Sequence, residues 1–181
     1  MDYIDTLMRR NAEFAECGFN RGLRMMPTSK TLFIGCVDPR VDPTDMFKLS
    51  PGEAGVLRNV GGRVTPSVLE MLGMLRTVAV AAGGDIGTDW NLIVLHHTDC
   101  GIKRCYCHSP QALAEHMGAT TAQLERFEID DPYKAVVLDV AILRANADVT
   151  GDYTVSGMVY DVATGKVQII VPPSRARPDA A

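Results

Sequence analysis

Apolar positions along this chain follow two periods, and the alternation between them predicts the architecture. Continuous apolar runs at residues 31–36 and 91–96 have the length and Ile/Val/Leu content of buried parallel strands. A shorter run at 54–57 predicts a strand ending at Arg58-Asn59. Helical spacing of Ile4, Leu7, Met8, Phe14 and Ala15 predicts an N-terminal helix over 2–17. Val68, Met71, Leu72, Leu75, Val78 and Ala79 predict an amphipathic helix opened by Thr65 as cap and Pro66 at its first position. Asp42-Pro43 opens a short helix in the same way. Asp131-Pro132 opens a mostly buried one carrying Ala135, Val136, Leu138, Val140, Ile142 and Leu143. Residues 155–162 and 166–171 flank Ala163-Thr164-Gly165 and predict a β-hairpin. Short helices are expected between Cys100 and about residue 130, and Gly83-Gly84-Asp85-Ile86-Gly87 is expected to be a plain turn.

The order of these elements predicts an α/β fold: a mostly parallel central sheet flanked by helices, a C-terminal antiparallel hairpin and an N-terminal helical arm. We expect one domain over residues 1–171, with 1–27 as the arm and 172–181 as a disordered Pro/Arg/Ala-rich tail. A chain of 181 residues is long enough to bury about 70% of its unfolded surface without staples.

Composition narrows the function classes. A net charge of -4 argues against a nucleic-acid surface, which needs a basic stripe. No apolar run reaches the roughly 18 residues of a membrane span, so no membrane partner is expected. The acidic opening Met1-Asp2-Tyr3-Ile4-Asp5 is unlike a secretory signal, and the expected location is cytoplasmic. Of 5 cysteines, Cys100, Cys105 and Cys107 crowd together, a pattern that favours metal or reactive thiols over a disulfide framework.

The chemistry gathers where two predicted strands end. One runs into Cys36-Val37-Asp38-Pro39-Arg40, the other into His96-His97-Thr98-Asp99-Cys100. Ligands collect outside the carboxyl ends of strands in open α/β sheets. Two thiolates and one imidazole there make a Cys₂His zinc site with its fourth position open, a catalytic-type ligand set. Cys36, His97 and Cys100 are the favoured ligands. Strand alternation lets only one of His96 and His97 look toward Cys36, and His96 is expected in the core or behind the ligands. A rival set, Cys100, Cys105, Cys107 and His108, would close a structural site instead. Asp38 and Arg40 form either a structural ion pair or a gate. In the gate, Asp38 accepts a hydrogen bond from the attacking water, or leaves Arg40 to become a fourth metal ligand.

Cys36-x-Asp38-x-Arg40 followed by His97-x-x-Cys100-Gly101 resembles the β-class carbonic anhydrase family, which includes related carbonyl sulfide hydrolases. Pro51-Gly52-Glu53-Ala54 and Arg58-Asn59-Val60-Gly61-Gly62 match further landmarks, and the resemblance spans roughly residues 28–162. It implies one Zn²⁺ per subunit on Cys36, His97 and Cys100, and an Asp38/Arg40 catalytic dyad. The implied reaction is reversible hydration of carbon dioxide to bicarbonate, with the Gly101 N–H as an expected anion donor. It also implies a homodimer or homotetramer in which the N-terminal helix embraces a neighbour. The alternatives are carbonyl sulfide hydrolysis on the same metal and a non-catalytic zinc protein. Pro39 departs from the family's usual Ser or Ala, and Ser50 and Gly55 depart from the plant-type pattern.

Overall fold

The computed structural model describes residues 2–84 and 89–176. Among these residues, five strands form one sheet: β1 (Thr31–Cys36), β2 (Gly55–Asn59), β3 (Asn91–His97), β4 (Thr154–Asp161) and β5 (Lys166–Arg175). Their spatial order is β2-β1-β3-β4-β5, parallel except for the antiparallel β4–β5 pair. Among the described residues the α-helices are α1 (Tyr3–Cys17), α2 (Pro43–Met46), α3 (Pro66–Ala81), α4 (Ile102–His108), α5 (Pro110–Met117), α6 (Pro132–Ala145) and α7 (Ala147–Thr150). Two 3₁₀ segments, Val60–Gly62 and Thr121–Phe127, complete the connections. The α/β architecture is therefore the one the apolar periods predict.

The core lies between the sheet and helices α3 and α6. Leu32 and Ile34 of β1, Leu92 and Val94 of β3, and Val155 and Val159 of β4 meet Val68, Leu72 and Ala79 of α3 and Val136, Val140 and Leu143 of α6. Each side chain of this kind contributes about 1.5–3 kcal/mol when fully buried. A second cluster holds α4 and α5 together through Ile102, Leu113, Ala114, Met117, Leu124 and Ile129. This helical lobe hangs directly from the end of β3.

Caps follow the sequence at two of three places. The Asp42 carboxylate accepts from Thr44 N at 2.9 Å, and Asp131 accepts from Tyr133 N and Lys134 N. Thr65 takes the N-cap position of α3 without a side-chain cap bond: its hydroxyl pairs with Ser67 Oγ at 2.9 Å, and Val68 N donates to the Thr65 carbonyl.

The C-terminus departs from expectation. The tail expected from residue 172 is strand through Arg175: Ser174 pairs with Val155, Arg175 with Thr154, and Ala176 N donates to Tyr153 O. Val155 to Gly157 on β4 faces Ser174 to Val171 on β5, one residue more, so Pro172-Pro173 sit in a bulge on an edge strand. Proline survives in a sheet at such places because no ladder N–H is demanded of it there. Residues 177–181 and 85–88, the latter including Asp85-Ile86-Gly87 of the expected glycine turn, lie outside the described residues. Among the described residues, no helix is long and apolar enough to cross a membrane.

Candidate metal centre

Cys36 is the last residue of β1, and His97 the last of the neighbouring β3. The two strands pair in parallel register, Gly35 opposite Leu95, so their carboxyl ends emerge side by side. Cys100 follows His97 by one turn, at the entry to α4. The ligand atoms of Cys36, His97 and Cys100 all lie within 4.8 Å of one another. It is the only such group of three or more found among the described residues.

Close backbone approach builds this corner. Gly62, at φ +65, lies against β1 so tightly that a Cβ there would stand 2.8 Å from Cys36 N. Arg58 of β2 holds the loop beyond Cys36 by donating to the carbonyls of Cys36 and Asp38, both at 2.8 Å, and to Asp42 at 2.7 Å.

Three observations show that the residues fit a tetrahedral cation. The two sulfurs are 3.8 Å apart and both cysteines are free thiols. Two sulfurs each about 2.3 Å from a tetrahedral zinc stand about 3.8 Å from one another. His97 Nδ1–H donates to the Thr98 carbonyl at 2.8 Å, which leaves the Nε2 lone pair facing inward, buried and without a hydrogen-bond partner. An orphaned buried acceptor beside two sulfurs completes a donor set of the kind that suits a soft divalent cation.

The electrostatics agree. The hydrogen bond from Cys100 pulls the Cys36 thiol far below its ordinary pKa. Burial opposes that shift, and His97 and the N–H groups of Asp38 and Gly61 reinforce it. The same contact and burial push Cys100 upward. A divalent ion held there would favour the thiolate form of both cysteines.

Asp38 and Arg40 form a two-point pair beside the sulfurs. Arg40 Nε donates to Asp38 Oδ1 at 3.0 Å and Nη2 to Oδ2 at 2.7 Å. Arg40 N also donates to Asp38 Oδ1 at 2.9 Å, closing an Asx turn across Pro39, whose missing N–H is not required there. The Arg40 hydrogen bond lowers the Asp38 pKa to about 2, against a smaller effect of burial. Gly101 stands at the start of α4, and a Cβ added to it would meet open space.

The rival thiol cluster does not assemble. Cys105 packs on the second apolar cluster and Cys107 is exposed. His116 donates from Nε2 to the Val60 carbonyl at 3.1 Å.

His96 turns the other way from His97. Its Nε2 bonds Asp139 Oδ2 of α6 at 2.9 Å. The same carboxylate takes Arg63 Nε at 2.8 Å, Arg63 Nη2 at 3.1 Å and Val64 N at 3.1 Å, while Arg63 Nη1 reaches the Phe127 carbonyl at 2.9 Å. Sequence reasoning missed this buried network. Its one signal was an aspartate among Ala135, Val136, Val140 and Leu143 on the buried face of α6. Burial alone would raise the Asp139 pKa; the His96 hydrogen bond and the Arg63 charge outweigh it and hold the carboxyl below its ordinary value.

A model of the carbonic anhydrase family matches residues 31–135. The chain is 30% identical over 174 residues to beta-carbonic anhydrase 1 of Mycobacterium tuberculosis, covering 95% of this chain and 100% of that one. This chain belongs to the β-carbonic anhydrase family. The crystal structure of a carbonic anhydrase from Streptococcus mutans superimposes with a TM-score of 0.69 at 28% identity, covering 94% of this chain and 98% of that one. A carbon disulfide hydrolase from Acidianus is 23% identical over 192 residues, covering 92% and 88% of the two chains. The protein is thus an enzyme of a β-carbonic anhydrase lineage that also contains hydrolases of a sulfur analogue of carbon dioxide.

Proposed function

We propose that this enzyme reversibly hydrates carbon dioxide to bicarbonate, using one zinc ion per subunit on Cys36, His97 and Cys100. The observation that carries the reading is the sulfur–sulfur–imidazole triangle with its orphaned Nε2, set beside an aspartate held by arginine. Zinc bound there would supply a Lewis acid that brings the pKa of a water toward about 7.

The chain's own residues do the rest. The Thr98 carbonyl fixes the His97 tautomer so that Nε2 stays free to ligate. Arg40 keeps Asp38 ionised, hence an acceptor only, able to take the proton-bearing edge of the attacking water and orient its lone pair toward carbon. The Gly101 N–H, at the entry to α4 beside Cys100, is the proposed donor to the oxygen on which charge develops. Were Asp38 to leave Arg40, its carboxylate would be the proposed fourth group to hold the ion.

A homo-oligomer, dimer or tetramer, is the proposed assembly, supported by α1, which buries none of its residues and exposes Ile4, Leu7, Met8 and Phe14. A second copy is the proposed cover. Hydrolysis of carbonyl sulfide at the same metal is the second reading, favoured by the similarity to a carbon disulfide hydrolase.

The deciding experiment assays carbon dioxide hydration by stopped-flow and sulfide release from carbonyl sulfide in parallel, on protein with quantified zinc. Hydration that Asp38→Ala abolishes while zinc is retained is the expected result. Stoichiometric zinc with sulfide release and no hydration would move the assignment to the second reading. No zinc would end both.

A further inference from the structure

Asp99 lies between His97 and Cys100 in sequence, yet its side chain does not join them. It reaches instead to the other strand end. Arg40 Nη1 donates to Asp99 Oδ2 at 2.9 Å and Arg40 Nη2 donates to the Asp99 carbonyl at 3.0 Å. The opposite edge of the same guanidinium is taken by Asp38 through Nε and Nη2. Arg40 is therefore gripped from both sides by residues from two different loops, one after β1 and one after β3. Asp99 adopts φ +53, a left-handed conformation that aspartate and asparagine tolerate better than most residues. That conformation turns its carbonyl and its carboxylate toward one guanidinium.

The grip matters because Arg40 is about half exposed on a long stem. Held only by Asp38, such a side chain could rotate into water and leave Asp38 unpaired. Held on both edges, it must break contacts to both loops before it moves. An exposed pair of this kind adds little to folding stability, so its consequence lies in orientation.

We propose that Asp99 is a positioning residue for the reaction: by bracing Arg40 from the side opposite Asp38, it keeps Asp38 paired with arginine rather than free to occupy the metal's fourth position. This rests on the reading of Asp38 as acceptor for the attacking water. Asp99 itself acts through Arg40 and touches neither metal nor substrate.

The test uses the full chain as wild type, Asp99→Gly and Asp99→Asn. Glycine accepts φ +53 and removes the carboxylate; asparagine keeps an acceptor without the charge. Three readouts are taken: zinc content, kcat and KM for carbon dioxide hydration, and water exchange of the Arg40 Nε–H by ¹⁵N NMR on zinc-free protein. Asp99→Gly is expected to bind zinc normally, to lose about tenfold in kcat with little change in KM, and to exchange the Arg40 proton faster than wild type. Asp99→Asn should recover most of both. Unchanged Arg40 exchange in Asp99→Gly overturns the proposal whatever the kinetics, and so does wild-type kcat. If the wild-type zinc protein hydrates no carbon dioxide, the functional reading fails separately, and the zinc-free exchange measurement still decides whether Asp99 braces Arg40.

Discussion

Asp139 is the residue whose removal should cost this fold most. Its carboxylate is fully buried and accepts from Arg63 twice, from Val64 N and from His96, tying α6, the turn after β2 and the end of β3 into one knot behind the metal ligands. Asp139→Ala leaves Arg63, only 2% exposed, as a buried guanidinium whose remaining partner is the Phe127 carbonyl. Breaking a buried pair from one side costs about 3–5 kcal/mol. With a urea m-value of about 2 kcal/mol/M, the midpoint should fall by about 1.5–2.5 M. Urea denaturation followed by far-ultraviolet circular dichroism, at matched protein concentration and zinc loading, measures this. The double variant Arg63→Met/Asp139→Leu removes both charges and should recover most of the loss. The pH dependence has a definite sign. The Asp139 carboxyl sits below its ordinary value in the folded state, so its contribution is complete above pH about 4 and disappears as pH falls through the lowered pKa. The stability gap between wild type and Asp139→Asn should shrink over that acidic interval. A midpoint shift for Asp139→Ala under about 0.25 M, the equivalent of a surface change, would refute the reasoning.

Other expectations are more direct. Cys36→Ser should lose both zinc and hydration by elemental analysis and stopped-flow assay, and retained stoichiometric zinc would point away from this centre. Gly62→Ala forces a Cβ to within 2.8 Å of Cys36 N at φ +65, which displaces the end of β1. We expect at least about 1–2 kcal/mol of destabilisation and weakened metal binding in a chelator competition. Deleting residues 2–17 removes a helix that buries nothing within its own chain. Light scattering should show a smaller assembly, with secondary structure otherwise kept; an unchanged mass would remove α1 from the interface.

Local patterns in the chain were enough to mark which residues could carry the chemistry. Apolar runs of strand length marked β1 and β3, and soft ligands just past both pointed to a metal at their carboxyl ends, because both signals are local. They also showed that only one of His96 and His97 could face the sulfurs, but alternation could not choose between them. Paired register puts Leu32 opposite Leu92 and Ile34 opposite Val94, which continues to Cys36 opposite His96. Tertiary structure reverses that extrapolation: Asp139, 43 residues away on α6, captures His96 and leaves His97 with the cysteines. The Arg63–Asp139 pair, the second grip on Arg40 and the bulge that carries β5 past Pro172-Pro173 share one character. Each joins residues distant in sequence, or fits one strand against another, and the partner's position exists only once the chain has folded.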